Sequence, residues 1–236
     1  MYIVWWETFL VVIIPLIIIA LFCLYRIYIS NPLQTDLVRE KTPDEVENIL
    51  ETGDLVFIRY SSKHGKIVKI VTDSHWTHTG LVYRRNGECY IIEVADYTGH
   101  DHPEHNGLCI IPFDDWVELN DERICGYRKY TGRKSREKLE KQLAILLEKY
   151  KDIKLTMALY DWSAILFNRV YDNSRDDKYF CSEFIAALLQ ELRILNRNYH
   201  CSSFSPKKLE DISNYGKTIM FFNINATTDV PELPNV

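Results

Sequence analysis

The spacing of apolar residues changes several times along the chain. From Phe9 to Tyr25 they run without a charge, and Tyr2, Trp5, Trp6 and Tyr28 place amphipathic rings at either end. That pattern predicts a transmembrane helix over 9–25 with interfacial aromatic anchors, in which Pro15 is tolerated as a kink. A cleaved leader needs a positive start and a small-residue cleavage site. Here the start carries Glu7 and the run ends Cys-Leu-Tyr-Arg, so retention as an anchor is expected. Arg26, Arg39 and Lys41 follow the run and no lysine or arginine precedes it, which points the carboxy-terminal bulk toward the cytoplasm.

Beyond a polar connector at 30–41, Thr42-Pro43-Asp44-Glu45 supplies a helix N-cap, a proline at the first helical position and a carboxylate at the third. A short helix is expected to about Glu51, ending at Gly53. Asp54–Tyr60 is rich in β-formers, and 77–84 and 88–95 are apolar runs separated by Arg85-Asn86-Gly87, the signal for a two-residue hairpin. Further strands are expected near 108–113 and 124–130. Ser135 then opens a long helix with Leu139, Leu143, Leu146 and Leu147 on one face. Helices are also predicted over 154–170 and 180–195, with a short one from Ser205-Pro206.

Strands come first and helices later, which predicts an α+β domain, an antiparallel sheet with segregated helices rather than alternating βαβ units. The expected organisation is an anchor at 1–29, a connector and short helix at 30–50, a catalytic domain at 51–222 and a flexible tail at 223–236.

Composition narrows the function classes. The formal charge is −5 and the two signs are interspersed, so nothing resembles a phosphate-binding face and no nucleic-acid partner is expected. Six cysteines lack the tight pairing of a zinc or redox site. Cys23 lies in the apolar run, and Cys89, Cys109 and Cys125 fall in strand-like segments as small apolar fillers.

The hairpin carries the first chemical expectation. With Asn86 and Gly87 as the central turn residues, Arg85 faces Glu88, Tyr83 faces Tyr90 and Gly80 faces Glu93, so His78 and Glu93 lie diagonally on one face. The missing side chain at Gly80 is expected to leave open space between them. An imidazole held by a carboxylate is oriented and stabilised as imidazolium, which is the base and orienting-acid part of a Cys/His/acid set. Cys181, at the start of the helical Cys-Ser-Glu-Phe-Ile-Ala-Ala-Leu-Leu, is the candidate nucleophile, because a helix amino terminus favours a thiolate. Its amide N–H would face the oxyanion of an acyl transfer. Taken singly, each residue reads more simply as a core histidine, an ion-paired glutamate and a buried helix cysteine.

Four short motifs in order add to this: Gly53-Asp54-Leu55-Val56-Phe57, Trp76-Thr77-His78-Thr79-Gly80-Leu81-Val82, Tyr90-Ile91-Ile92-Glu93-Val94 and Tyr179-Phe180-Cys181-Ser182-Glu183-Phe184. Together they resemble the YiiX/YaeF-type permuted papain-fold enzymes of the NlpC-type superfamily, over about residues 51 to 212, and Ser205-Pro206-Lys207-Lys208-Leu209 is similar to a serine-proline helix start found after the cysteine helix in that family. The resemblance implies a circularly permuted papain-like fold, with Cys181 as nucleophile, His78 as base and Glu93 as its orienting acid. It implies a cofactor-free hydrolase of amide or ester bonds.

Rival readings follow from the same residues. His75 is a second possible base on the opposite strand face; His64 and His200 read as surface residues. His100, His102 and His105, with Asp96 or Asp101, offer metal ligands within a few positions, although no HExxH helix accompanies them. Lecithin:retinol acyltransferase and its relatives are similar to this superfamily, so a lipid acyltransferase or phospholipase acting on a lipid ester is an alternative to a peptide or amide hydrolase. A third is a non-catalytic membrane-tethered protein. Trp76, Tyr83 and Tyr179 are candidate cleft-lining residues.

Overall fold

The computed structural model describes residues 39–60, 74–96, 106–120, 123–156 and 178–222. The expected anchor, the histidines at 64, 100, 102 and 105, most of the helix expected at 154–170 and the tail lie outside the described residues. Among the described residues no helix is long and apolar enough to cross a membrane.

The central element is a seven-stranded sheet. Its strands are β1 (Arg39–Lys41), β2 (Leu55–Arg59), β3 (His78–Arg85), β4 (Glu88–Asp96), β5 (Asn106–Pro112), β6 (Ile124–Arg128) and β9 (Ile219–Phe222), in the spatial order β1-β9-β6-β2-β3-β4-β5. Every pairing in it is antiparallel except β1 with β9. The helices are α1 (Pro43–Ile49), α2 (Phe113–Glu118), α3 (Arg136–Lys149), α4 (Cys181–Glu191) and α5 (Pro206–Glu210); β7 (Lys154–Leu155) and β8 (Lys178–Tyr179) form a separate parallel pair.

Local chemistry explains the better-defined elements. Thr42 caps α1 through the Glu45 N–H, and the Glu45 carboxylate takes the Thr42 N–H at 2.8 Å in return. Ser135 and Ser205 cap α3 and α5 by the same side-chain acceptance. The β3–β4 hairpin turns on Asn86 (φ 54°) and Gly87 (φ 90°), the two positive values that a type I′ turn requires. The turn sets Arg85 against Glu88 and Tyr83 against Tyr90.

Alternation along the strands divides the core between the two sheet faces. On one, Leu55, Phe57, Leu81, Tyr83, Ile92 and Val94 meet α3 through Leu139, Leu143 and Leu147, and α4 through Phe184, Ile185, Leu188 and Leu189. On the other, Val56, Ile58, Val82, Ile91 and Cys109 meet Val46 of α1 and Phe113 and Trp116 of α2. Truncating a buried leucine such as Leu143 to alanine in such a packed layer costs about 2–5 kcal/mol.

Three features differ from the sequence expectation. Residues 154 and 155 begin in a strand rather than a helix, because they pair with 178 and 179 ahead of α4. The last strand, β9, returns to the sheet between β1 and β6, so the helices do not all follow the strands. The space at Gly80 is filled, not open: a Cβ there would lie 2.7 Å from Ile91 Cγ2 and 3.1 Å from Val56 Cγ2. Glycine is needed for close packing under the hairpin, and His78 and Glu93 meet without a gap beside it.

Candidate active site

β3 begins at His78 and β4 carries Glu93 to the same edge of the core. His78 Nε2 and Glu93 Oε2 are 2.8 Å apart, with His78 almost buried and Glu93 fully so. Glu93 Oε2 also accepts the Trp116 Nε1–H at 3.1 Å. A carboxylate oxygen can only accept here, so the Nε2–H of His78 and the indole N–H both donate to it.

Cys181 is the first residue of α4 and is half-buried. Its helix start is held in two ways. Phe180 N–H donates to the Glu183 carboxylate at 3.4 Å, and Ser182 Oγ donates to the Phe204 carbonyl at 2.8 Å. The Cys181 side chain lies near enough to the His78 ring to raise the imidazole's hold on its proton. The structure therefore brings together Cys181, His78 and Glu93, three residues from two strands and one helix.

Burial opposes a charge on His78, but Tyr60, Cys181 and Glu93 around the ring outweigh it and hold the imidazole well above its usual range. Burial in turn pushes the Tyr60 phenol up, which leaves Cys181 and the Glu93 carboxylate as the other groups that favour the imidazolium. The Tyr60 and His78 ring centroids are 5.8 Å apart. Arg123 lies over the Tyr60 ring, its guanidinium carbon 4.2 Å from the ring centroid.

The remaining described cysteines are in different surroundings. Burial pushes the thiols of Cys89, Cys109, Cys125 and Cys201 up to about 12. Cys109 is directly across from Glu93 in the β4–β5 register, but its thiol is buried and donates to the Gly107 carbonyl. A neutral thiol without a base is a filler of the strand core.

Trp76 and Tyr83 belong to the core rather than to a cleft: Trp76 packs on Phe57 and donates its Nε1–H to Glu210, and Tyr83 sits under the helices. Tyr179 packs edge-on against Tyr150 and Phe184. His75 precedes β3, which starts three residues later, and His200 is exposed. Among the described residues no group of three or more His, Cys, Asp or Glu side chains is placed to hold a metal ion. Sequence reasoning missed Tyr60, Trp116 and Arg123. Only Tyr60 carried a usable signal, since an aromatic at the end of β2 lies one strand away from the start of β3.

A family profile described as the permuted papain-like amidase enzyme, YaeF/YiiX, C92 family, matches residues 49–211 of the chain. Among solved structures the chain is similar to one described as metalloprotein yiiX from Escherichia coli O157:H7, at 19% identity and a TM-score of 0.47, covering 72% of this chain and 96% of that one. A comparison with curated protein sequences finds no match.

Proposed function

Since the chain belongs to the permuted papain-like amidase family, YaeF/YiiX of C92, we propose that it is a cysteine hydrolase that opens an amide or ester bond through an acyl-cysteine intermediate. The observation that carries this reading is the buried 2.8 Å contact of His78 with Glu93, with Cys181 at the start of α4 near enough to act on the same ring.

In this reaction Cys181 gives its proton to His78 Nδ1 and the sulfur adds to the carbonyl carbon of the substrate. The new oxyanion forms beside the Cys181 N–H, one of the amides that a helix start leaves without an intrahelical acceptor. When the tetrahedral species collapses, the C–N or C–O bond breaks and the leaving group takes the proton held on His78. Water then passes a proton to His78, adds to the thioester, and releases the acid with Cys181 as thiol. Glu93 keeps the imidazole in the tautomer that these transfers need, and Trp116 keeps Glu93 in place. An amine or alcohol in place of water would make the same intermediate a transferase.

The uncharged run at 9–25 supports a membrane-anchored form of this enzyme, with the domain on the cytoplasmic side. Treating membranes from expressing cells with a thiol-reactive acyl probe tests both points. The probe is expected to label Cys181 in a band that sediments with membranes after carbonate washing, and to lose that label in Cys181→Ala. Undiminished labelling of the variant would remove the nucleophile assignment, and a labelled band left in the supernatant would remove the anchor.

A further inference from the structure

The described cations are held in different ways: Arg84 and Arg128 by several backbone carbonyls each, others by carboxylates. Lys129 and Arg136 are paired with Asp54 and Glu51, Lys149 and Arg197 with Glu191, and Lys207 with Glu210 and Asp211. Among the described residues Arg123 has no carboxylate partner; its guanidinium rests on Tyr60 and meets one acceptor, Asn120 Oδ1. It is half-buried and fixed rather than solvated, for Asn120 is itself buried and donates to the Trp116 carbonyl at 2.7 Å. The same Trp116 holds Glu93.

A chain of contacts therefore runs from Arg123 over Tyr60 to His78, with ring-to-ring spacing of 5.8 Å on the last step. A cation stacked on an aromatic face keeps its in-plane N–H groups for hydrogen bonds, and an arginine fork matches a carboxylate in geometry and charge. Tyr60 is within electrostatic range of Arg123, His78, Glu93 and Cys181. One fixed cation suits a singly charged group better than a phosphate dianion.

Resting on the reading of Cys181 as nucleophile, we infer that Arg123 is a specificity-determining residue that binds a carboxylate carried by the substrate close to the scissile carbonyl. The preferred substrate class is then an acidic amide or ester, and neutral acyl compounds are disfavoured. Arg123 takes no part in the proton transfers; it acts on the substrate's charge from its place on the Tyr60 ring.

Alkylation of Cys181 in the purified full chain by iodoacetate and by iodoacetamide isolates this effect, since the two reagents differ chiefly in a carboxylate. The rate ratio of iodoacetate to iodoacetamide is expected to fall about tenfold in Arg123→Gln at low ionic strength and to be largely kept in Arg123→Lys. An equal ratio in all three proteins would overturn the inference while leaving the nucleophile standing. A complete lack of Cys181 labelling by iodoacetamide in the natural sequence would remove both readings. Acetate is expected to slow the iodoacetate reaction in an Arg123-dependent manner; inorganic phosphate protecting Cys181 better than acetate would overturn the carboxylate assignment.

Discussion

Among the described residues two carboxylates, Asp54 and Glu93, are wholly shielded from solvent, and their surroundings are opposite in kind. Asp54, at the entry to β2, accepts the N–H of Glu51 and of Tyr130, each at 2.9 Å, and pairs with Lys129 at 2.7 Å and Arg136 at 2.9 Å. Its partners are two backbone amides, a lysine and an arginine, all of them donors held in place by the carboxylate. Glu93 has as partners an indole N–H and an imidazole, and the imidazole has a thiol, that of Cys181, nearby. Burial of a carboxylate is common to both. What separates a fastener from a working group is whether its partner can still exchange a proton with something else.

Replacing Asp54 tests the first half of that contrast and carries the largest expected effect. Asp54→Ala leaves the buried Tyr130 N–H without its acceptor and strips two cations of their best partner, at about 3–4 kcal/mol of folding stability. Glu51 stays near both cations and moderates the loss. Urea denaturation reads the stability, and probe labelling of Cys181 in the folded fraction is expected to persist. A stability change under 1 kcal/mol would contradict the role assigned to Asp54.

Glu93→Gln tests the second half. The variant keeps size and a hydrogen bond but removes the charge that stabilises imidazolium, and acylation of Cys181 is expected to slow about a hundredfold, or roughly 2.7 kcal/mol of barrier. The pH dependence has a definite sign. His78 holds its proton to higher pH in the folded chain than the ordinary value of 6.5 for the unfolded one. The stability it contributes is therefore complete below about 6.5 and is lost as pH rises through the elevated native value. The stability gap between the natural sequence and Glu93→Gln should be widest at low pH and narrow through that range; a gap constant from pH 5 to 9 would show that His78 is not held up by Glu93.

The contrast also marks what the sequence could disclose. Neighbours along a tight hairpin are legible: Asn-Gly fixes the turn, the turn fixes the register, and the register brings His78 to Glu93. The start of α4 was legible from the abrupt change to helical apolar spacing at Cys181. The motif order pointed to the permuted family, over nearly the span that its profile matches. Trp116 and Arg123 reach the site from α2 and from the residue before β6, elements with no local register to His78. Neither β1 nor β9 was readable, as three and four residues are too few to show a period and their pairing partners lie far away in sequence. Gly80 was misread because a missing side chain seen from sequence gives no sign of what packs against it, here Ile91 and Val56.

The smallest predicted effect falls on the residue that sequence gave no reason to choose. Trp116→Phe preserves most of the packing against Phe113 but removes the N–H that Glu93 accepts. Losing one hydrogen bond to a charged acceptor weakens the positioning of Glu93 by about 1.5 kcal/mol, so acylation should slow about tenfold. A purely structural tryptophan would lower stability without altering the protonation of His78. A positioning tryptophan also changes how firmly the carboxylate is held to the ring, so the histidine resonance followed by NMR should titrate at a shifted pH. A shift in the titration together with the tenfold loss places Trp116 with Glu93; a loss of stability alone returns it to the core and leaves Glu93 dependent on His78 for its position.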